Sequence, residues 1–235
     1  MMILGLDTSG PACSVALTRD GRLVQEIVMN TDLTHSETLM PAVERVMNGA
    51  NAHVSDLDAI AVIAGPGSFT GVRIGVCAGR ALAHAGNVPV CRINALEALA
   101  AGTPNAKGIV CPILDARRMQ VYSAAFSVDE GGTPRRVLAD DARKLTDFLS
   151  MLPEDELLYF TGDGVAVHEN AIREILGDRA CFAPVHMRIL RASSACFLAE
   201  DRKEEWIRYD ALSPIYLRAP QAERERNEKL SRQKV

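Results

Sequence analysis

Two strand-like segments ending in the same dipeptide, Leu6-Asp7 and Leu114-Asp115, constrain this chain more than any other feature, because each opens the same order of elements. In the first half, residues 2–7, 12–18 and 23–28 read as strands, the last two joined by an Asp20-Gly21 hairpin turn. A helix follows, capped by Ser36, with Leu39, Met40, Val43, Val46 and Met47 at helical spacing, Pro41 near its first turn and a stop at Asn48-Gly49. The apolar run 59–64 reads as a buried strand, and a helix after Gly71 runs to about Ala85 and stops at Gly86. From Lys107 the order returns. Strands are expected over 108–114 and 120–128, with a short one through Val137 and Leu138 after a Gly131-Gly132 turn. A helix over 141–152, a strand over 156–161 ending at Gly162-Asp163-Gly164, and a helix over 165–176 complete the echo.

An internal duplication of this kind, βββαβα twice, is the layout of the α/β two-lobed actin-like architecture shared by sugar kinases and Hsp70. The expected division is a first lobe over 1–102, a second over 103–218, and a charged tail over 219–235, with a Gly/Thr/Pro/Asn linker around 101–105. That layout brings Asp7 and Asp115 to strand ends facing one cleft. The 235 residues are 48% hydrophobic, enough for a packed core, and carry a formal net charge of -4. Such a balance argues against gripping nucleic acid unaided, so an RNA role needs a partner. Apolar runs fall short of the roughly 18 residues of a membrane span, and the N-terminus lacks a basic stretch before its apolar run. A cytoplasmic protein without membrane contact is the expectation. The six cysteines show no C-x-x-C spacing and none of the five histidines joins a cysteine pair, which predicts reduced core thiols and no metal site.

The turn GPGSFTGVRIG (65–75) converts the strand at 59–64 directly into a helix. Gly65, Pro66 and Gly67 supply tight-turn geometry, and Ser68 or Thr70 can cap the helix. Backbone N–H groups at such a start can bind an anion, although neither the Walker pattern nor a dinucleotide fingerprint is present. The alternative is that the glycines let the helix start close to its strand. Asp7, Thr8, Ser9, Gly65, Gly67, Asp115, Gly162 and Gly164 are accordingly the candidate nucleotide- or phosphate-binding residues, Asp7 being equally suited to bonding within its own turn. Against tight binding, the second lobe has Asp115-Ala116-Arg117 where active members of the fold place Asp-x-Gly, although Arg117 and Arg118 can attract an anion.

Five segments in order, LDTSGPACSVAL (6–17), HSETLMP (35–41), GPGSFTGVRIG (65–75), LDARRMQVYSAAF (114–126) and LSPIYLR (212–218), resemble the TsaB family, formerly YeaZ, of bacterial tRNA threonylcarbamoyladenosine (t6A) biosynthesis. The resemblance implies an actin-like fold and a non-catalytic role beside TsaD, the paralogue that attaches threonylcarbamoyl to N6 of adenosine 37 in tRNA. It further implies a link to the ATPase TsaE and to TsaC, which supplies threonylcarbamoyl-AMP, with tRNA reached only through the complex. No intrinsic cofactor is implied, with ATP or ADP at most at the level of the complex. TsaD carries a metal-binding His-x-x-x-His pair shortly after a Val-Pro dipeptide. Counted from Val88-Pro89, those positions fall on Ala95 and Leu99, which bind no metal.

A chain without catalytic residues works through a surface. Gly71, Gly75 and Gly79 recur every fourth residue near Leu82 and Val72, a small-residue face that either admits a partner helix or packs on the chain's own sheet. With Leu39, Met40, Val43 and Met47 of the first helix, this set is the candidate partner interface for TsaD or for a homodimer. Enzymatic alternatives are a small-molecule kinase or ATPase using Asp7 and Asp115, and more distantly a glycoprotease-like peptidase or a Ser68 or Thr70 nucleophile, which lacks an evident base. The tail from Arg218 is mildly basic, and Trp206 and Tyr209 are expected to pack rather than to stack on bases.

Overall fold

A computed structural model describes residues 1–103, 106–117 and 119–218; the expected charged tail over 219–235, residues 104–105 of the linker and Arg118 lie outside the described residues. Five strands form the first sheet: β1 (Met2–Asp7), β2 (Cys13–Arg19), β3 (Arg22–Met29), β4 (Ala59–Ile63) and β5 (Val90–Ile93). Their order is β3-β2-β1-β4-β5, the first three antiparallel and the last two parallel to β1. The second sheet, from β6 (Ile109–Asp115), β7 (Gln120–Val128), β8 (Pro134–Lys144), β9 (Leu158–Thr161) and β10 (Ala180–Phe182), repeats that order as β8-β7-β6-β9-β10. The expected duplicated actin-like fold is thus present, extended in each half by a fifth strand and a third helix.

Helices α1 (His35–Gly49) and α2 (Phe69–Gly86) cover one face of the first sheet; α4 (Leu145–Ser150) and α5 (Gly164–Leu176) cover one face of the second. The remaining two helices are exchanged. α3 (Ala95–Ala101) follows β5 but packs on β6, β7 and β8, whereas α6 (Ala192–Glu200) follows β10 but packs on β1, β2, β4 and β5. α3 and α6 touch each other, so one buried cluster runs from Ile3 and Ile63 of the first sheet through Leu96 and Ala195 to Leu114 and Phe126 of the second. Separate cores lie under α1–α2 and under α4–α5.

Several local expectations change. α1 is capped by Thr34 rather than Ser36, because the Glu37 carboxylate accepts from the Thr34 N–H at 2.8 Å and completes a capping box. Pro41 lies one turn further in than expected, exposed in the second turn, where it cannot donate to the Glu37 carbonyl and so removes one bond from the helix. The helix expected from Asp141 begins only at Leu145. Residues 141–144 instead extend β8 by pairing with Gln120 to Ser123 of β7, and their polar side chains suit a sheet edge as well as a helix start. The Asp20-Gly21 turn is as expected, with φ of 49° and 71° matching a hairpin turn of the primed kind. Trp206 packs against the inter-sheet cluster and donates from Nε1 to the Ala199 carbonyl at 2.9 Å, and Tyr209 packs against the first-lobe core.

Candidate functional site

The turn after β1 is stitched to the start of α2. Thr8 Oγ1 donates to the Gly71 carbonyl at 2.7 Å, Ser68 N–H donates to the Ser9 carbonyl at 2.7 Å, and the Ser68 hydroxyl caps the helix by accepting from Gly71 N–H at 3.3 Å. These contacts explain the glycines. A Cβ would stand 2.3 Å from the Ser9 carbonyl at Gly67, 2.0 Å from the Thr8 carbonyl at Gly71, 2.6 Å from Thr8 Oγ1 at Gly75 and 2.5 Å from Val62 at Gly79. The small-residue face therefore packs on the chain's own sheet. Val72, Leu39, Val43 and Met47 are buried in the same first-lobe core, so of the expected interface set Met40 is exposed and Leu82 half-buried. These seven buried positions are core, a correction that follows from α1 and α2 turning their apolar stripes inward.

Both strand-end aspartates make the same turn. Asp7 Oδ1 accepts from Ser9 N–H at 2.8 Å and Asp115 Oδ1 accepts from Arg117 N–H at 2.8 Å. Asp7 is fully buried, accepts also from the Ser9 hydroxyl at 2.6 Å, and leaves Oδ2 without a partner. Burial pushes its carboxyl up to about 6, against the Ser9 hydrogen bonds, which pull it down. Asp163, at the start of α5, accepts from Asp115 N–H at 3.0 Å and is also raised by burial. Gly162, at φ +100°, lies where a Cβ would meet the Ile113 carbonyl at 2.2 Å, and Gly164 meets the same carbonyl at 3.0 Å. Arg117 itself holds φ +60°, a left-handed conformation in the position where a glycine is free.

Between the lobes lies a cleft of about 750 Å³. Ser9, Gly67 and Asp115 line it, with Ser68 and Thr70 at the start of α2. Asp7, Thr8, Gly65, Gly162 and Gly164 stand behind this lining and shape it. His35, Phe69, Tyr216 and Arg218 also line the cleft, as do Arg117 and Asp163. No spacing along the chain joins His35, Phe69 and Tyr216 to it; they arrive from three distant segments. The His35 Nε2 group bonds the Gly10 carbonyl at 2.9 Å, and among the described residues no hydrogen bond joins His35 to Ser68 or Thr70, so no nucleophile–base pair is assembled. The backbone N–H that follows each strand-end aspartate by two residues, a natural phosphate donor, is already bonded to that aspartate. Ala95 and Leu99 begin and end the core of α3 and are buried between the sheets.

Comparisons with known proteins agree with this architecture. A family model described as TsaD, tRNA N6-adenosine threonylcarbamoyltransferase, matches residues 26–226. The tRNA threonylcarbamoyladenosine biosynthesis protein TsaB of Bacillus subtilis is 34% identical over 95% of this chain and 96% of its own length. TsaB of Escherichia coli is 35% identical over 56% of this chain and 58% of its own. The solved structure of YeaZ from Pseudomonas aeruginosa superposes with a TM-score of 0.79 at 27% identity, covering 92% of this chain and 99% of that one. Matched over more than nine-tenths of its length in both sequence and fold, the chain belongs to the TsaB family of tRNA threonylcarbamoyladenosine biosynthesis proteins.

Proposed function

We propose that the chain is the non-catalytic subunit that binds and supports a TsaD-type paralogue in the transfer of threonylcarbamoyl to N6 of adenosine 37 in tRNA. The observation that carries this role is the near full-length match to TsaB. The site agrees with it: Ala95 and Leu99 of α3 are the positions that, counted from Val88-Pro89, correspond to the histidine pair of TsaD, and among the described residues of the cleft no hydrogen bond pairs Ser68 or Thr70 with a base. A nucleotide, ATP or ADP, is then held by the assembled complex rather than by this chain alone, because the turn N–H groups are internally bonded and Arg117 replaces the expected glycine. TsaE and the TsaC product threonylcarbamoyl-AMP enter at the same level. Among the described residues no helix is long and apolar enough to cross a membrane, in keeping with a role beside tRNA.

The partner face is formed by the outer sides of α1 and α2, through Met40 and the half-buried Ile74, Ala78 and Leu82. A homodimer can use the same surface when the paralogue is absent. Because Gly75 faces Thr8, a substitution there tests folding rather than association; the exposed Met40 and Ala81 are the sites to change. Reconstitution of threonylcarbamoyl transfer with TsaD, TsaE and TsaC should yield modified tRNA only when this chain is added. Equal activity without it, or substrate turnover by the chain alone, would refute the subunit role. Met40→Arg with Ala81→Arg should abolish co-elution with the paralogue while the thermal melt stays unchanged.

A further inference from the structure

After α6 the chain returns to the first lobe and lies along one flank of α2. Ile207 and Val90 exchange backbone hydrogen bonds of 2.8 and 2.9 Å, Leu212 is buried in the first-lobe core, and Ile215 N–H donates to the Ala64 carbonyl at 2.7 Å. This path sets tyrosines beside arginines. Tyr216, 42% exposed, stacks on Phe69 with centroids 5.2 Å apart. The Arg73 guanidinium lies 3.8 Å from the Phe69 ring centre and its Nε donates to the Tyr216 hydroxyl at 2.8 Å. At the other end Tyr209 meets His84 at 4.8 Å, with the Arg208 guanidinium 5.4 Å from the Tyr209 ring centre. Exposed Arg80 stands between them, and Arg218 reaches the Ala116 carbonyl at 3.0 Å.

Arg73, Arg80 and His84 follow i, i+7, i+11 and so share one side of the helix, a ridge of about 16 Å at ~1.5 Å per residue. Asp210 neutralises Arg208 at 2.9 Å, whereas among the described residues Arg73, Arg80 and Arg218 have no carboxylate within 4.0 Å. At 3.6 residues per turn, Ile74, Ala78 and Leu82 fall about 100°, 140° and 180° round the helix from Arg73. The cations are therefore concentrated on a surface of a chain whose net charge is -4, away from the proposed partner face.

We infer that this α2 ridge contacts an unpaired segment of the tRNA while the other flank of α2 holds the catalytic partner; the inference rests on the tRNA-modifying role proposed above. Arginines spaced along a ridge neutralise successive phosphates, and the exposed Tyr216 at its Arg73 end offers a stacking face to a base. An acidic protein segment would use the charges but not the ring, which is why RNA is the occupant the arrangement favours.

The test is fluorescence anisotropy of a labelled tRNA transcript against the complex of this chain with its TsaD-type partner, at several salt concentrations. Arg73→Glu with Arg80→Glu should weaken binding about tenfold or more and lower the slope of log affinity against log salt by about 1.4, for two phosphate contacts to a single strand. Tyr216→Ala should weaken binding several-fold at every salt concentration, and Tyr216→Phe should restore it. Co-elution and a thermal melt establish that each variant is folded and assembled. Unchanged tRNA affinity in a co-eluting complex overturns the inference, and loss of co-elution with tRNA binding intact overturns it in favour of a protein contact. A wild-type chain that does not co-elute with the paralogue refutes the subunit role, and with it the inference that rests on that role.

Discussion

Asp7 is a carboxylate held in a place that disfavours its charge. Its folded value of about 6 exceeds the usual 3.8, so between those values the folded chain retains a proton that the unfolded chain has released. The associated stability is present at low pH and is lost as pH rises from about 4 to 6, a loss of about 3 kcal/mol for this fully buried group. Asp7→Asn keeps an acceptor for Ser9 and cannot ionise. Denaturant unfolding at pH 4.5 and at pH 7 should show wild type losing stability over that interval and the variant losing much less; parallel changes in both would refute the assignment. A second residue-scale expectation concerns Gly71, where an added methyl would stand 2.0 Å from a backbone carbonyl that cannot rotate away. Gly71→Ala should cost about 1–3 kcal/mol, read as a lowered melting temperature. The glycine stripe was legible in the sequence, because its spacing marks a close approach. Its neighbour was not, because helical periodicity records that one face is small and is silent on whether a sheet or another molecule meets it.

At the scale of elements, the helices that lie outermost announced themselves and the innermost did not. α1, α2 and α5 alternate apolar and polar residues, which betrays a single buried face. α3 buries six of its seven residues and α6 buries six of its nine, leaving no polar stripe for periodicity to detect. β5 and β10, at four and three residues, are too short to carry a pattern. α6 is instead positioned by side chains far away in sequence. Glu26 of β3, with its side chain 3% exposed, accepts from Ser193 N–H at 3.0 Å and from the Ser193 hydroxyl at 2.8 Å, and pairs with Arg191. Ser14 accepts from Ala192 N–H at 2.9 Å. Together they satisfy the open N–H groups at the helix start. Glu26→Ala leaves the Ser193 N–H and hydroxyl and the Arg191 charge without their acceptor and should cost about 2–3 kcal/mol, with Glu26→Gln retaining part of the stability. Hydrogen exchange should locate the loss in α6; a uniform change across both lobes would show that Glu26 acts elsewhere.

The exchange of α3 and α6 makes the two lobes thermodynamically one body. Each sheet has its outer face covered by its own helices, but its inner face is covered by a helix from the other half, and α3 is tied to the segment after α6 by the Glu97–Arg202 pair at 2.8 and 3.0 Å. Removing either half therefore uncovers the inner face of the survivor. Ile3, Ala16, Ala61 and Ile63 would lose α6, and the survivor's own α3 would lose the sheet it packs on. Burial of each isoleucine is worth roughly 1.5–3 kcal/mol and of each alanine methyl about 0.8 kcal/mol, so losing these four removes about 5–8 kcal/mol, comparable with the stability of about 5–15 kcal/mol expected of a chain half this size. Calorimetry of the full chain should accordingly give one transition with equal calorimetric and van't Hoff enthalpies. A fragment of residues 1–102 should fail to fold, with little protection of β1 and β4 amides from exchange. Two resolved transitions, or a cooperatively folded fragment, would mean that the inter-sheet cluster is a docking contact between independent lobes. One cooperative unit would instead mean that a partner held on α1 and α2 stabilises the cleft side of the second lobe as well, since neither lobe can loosen without the other.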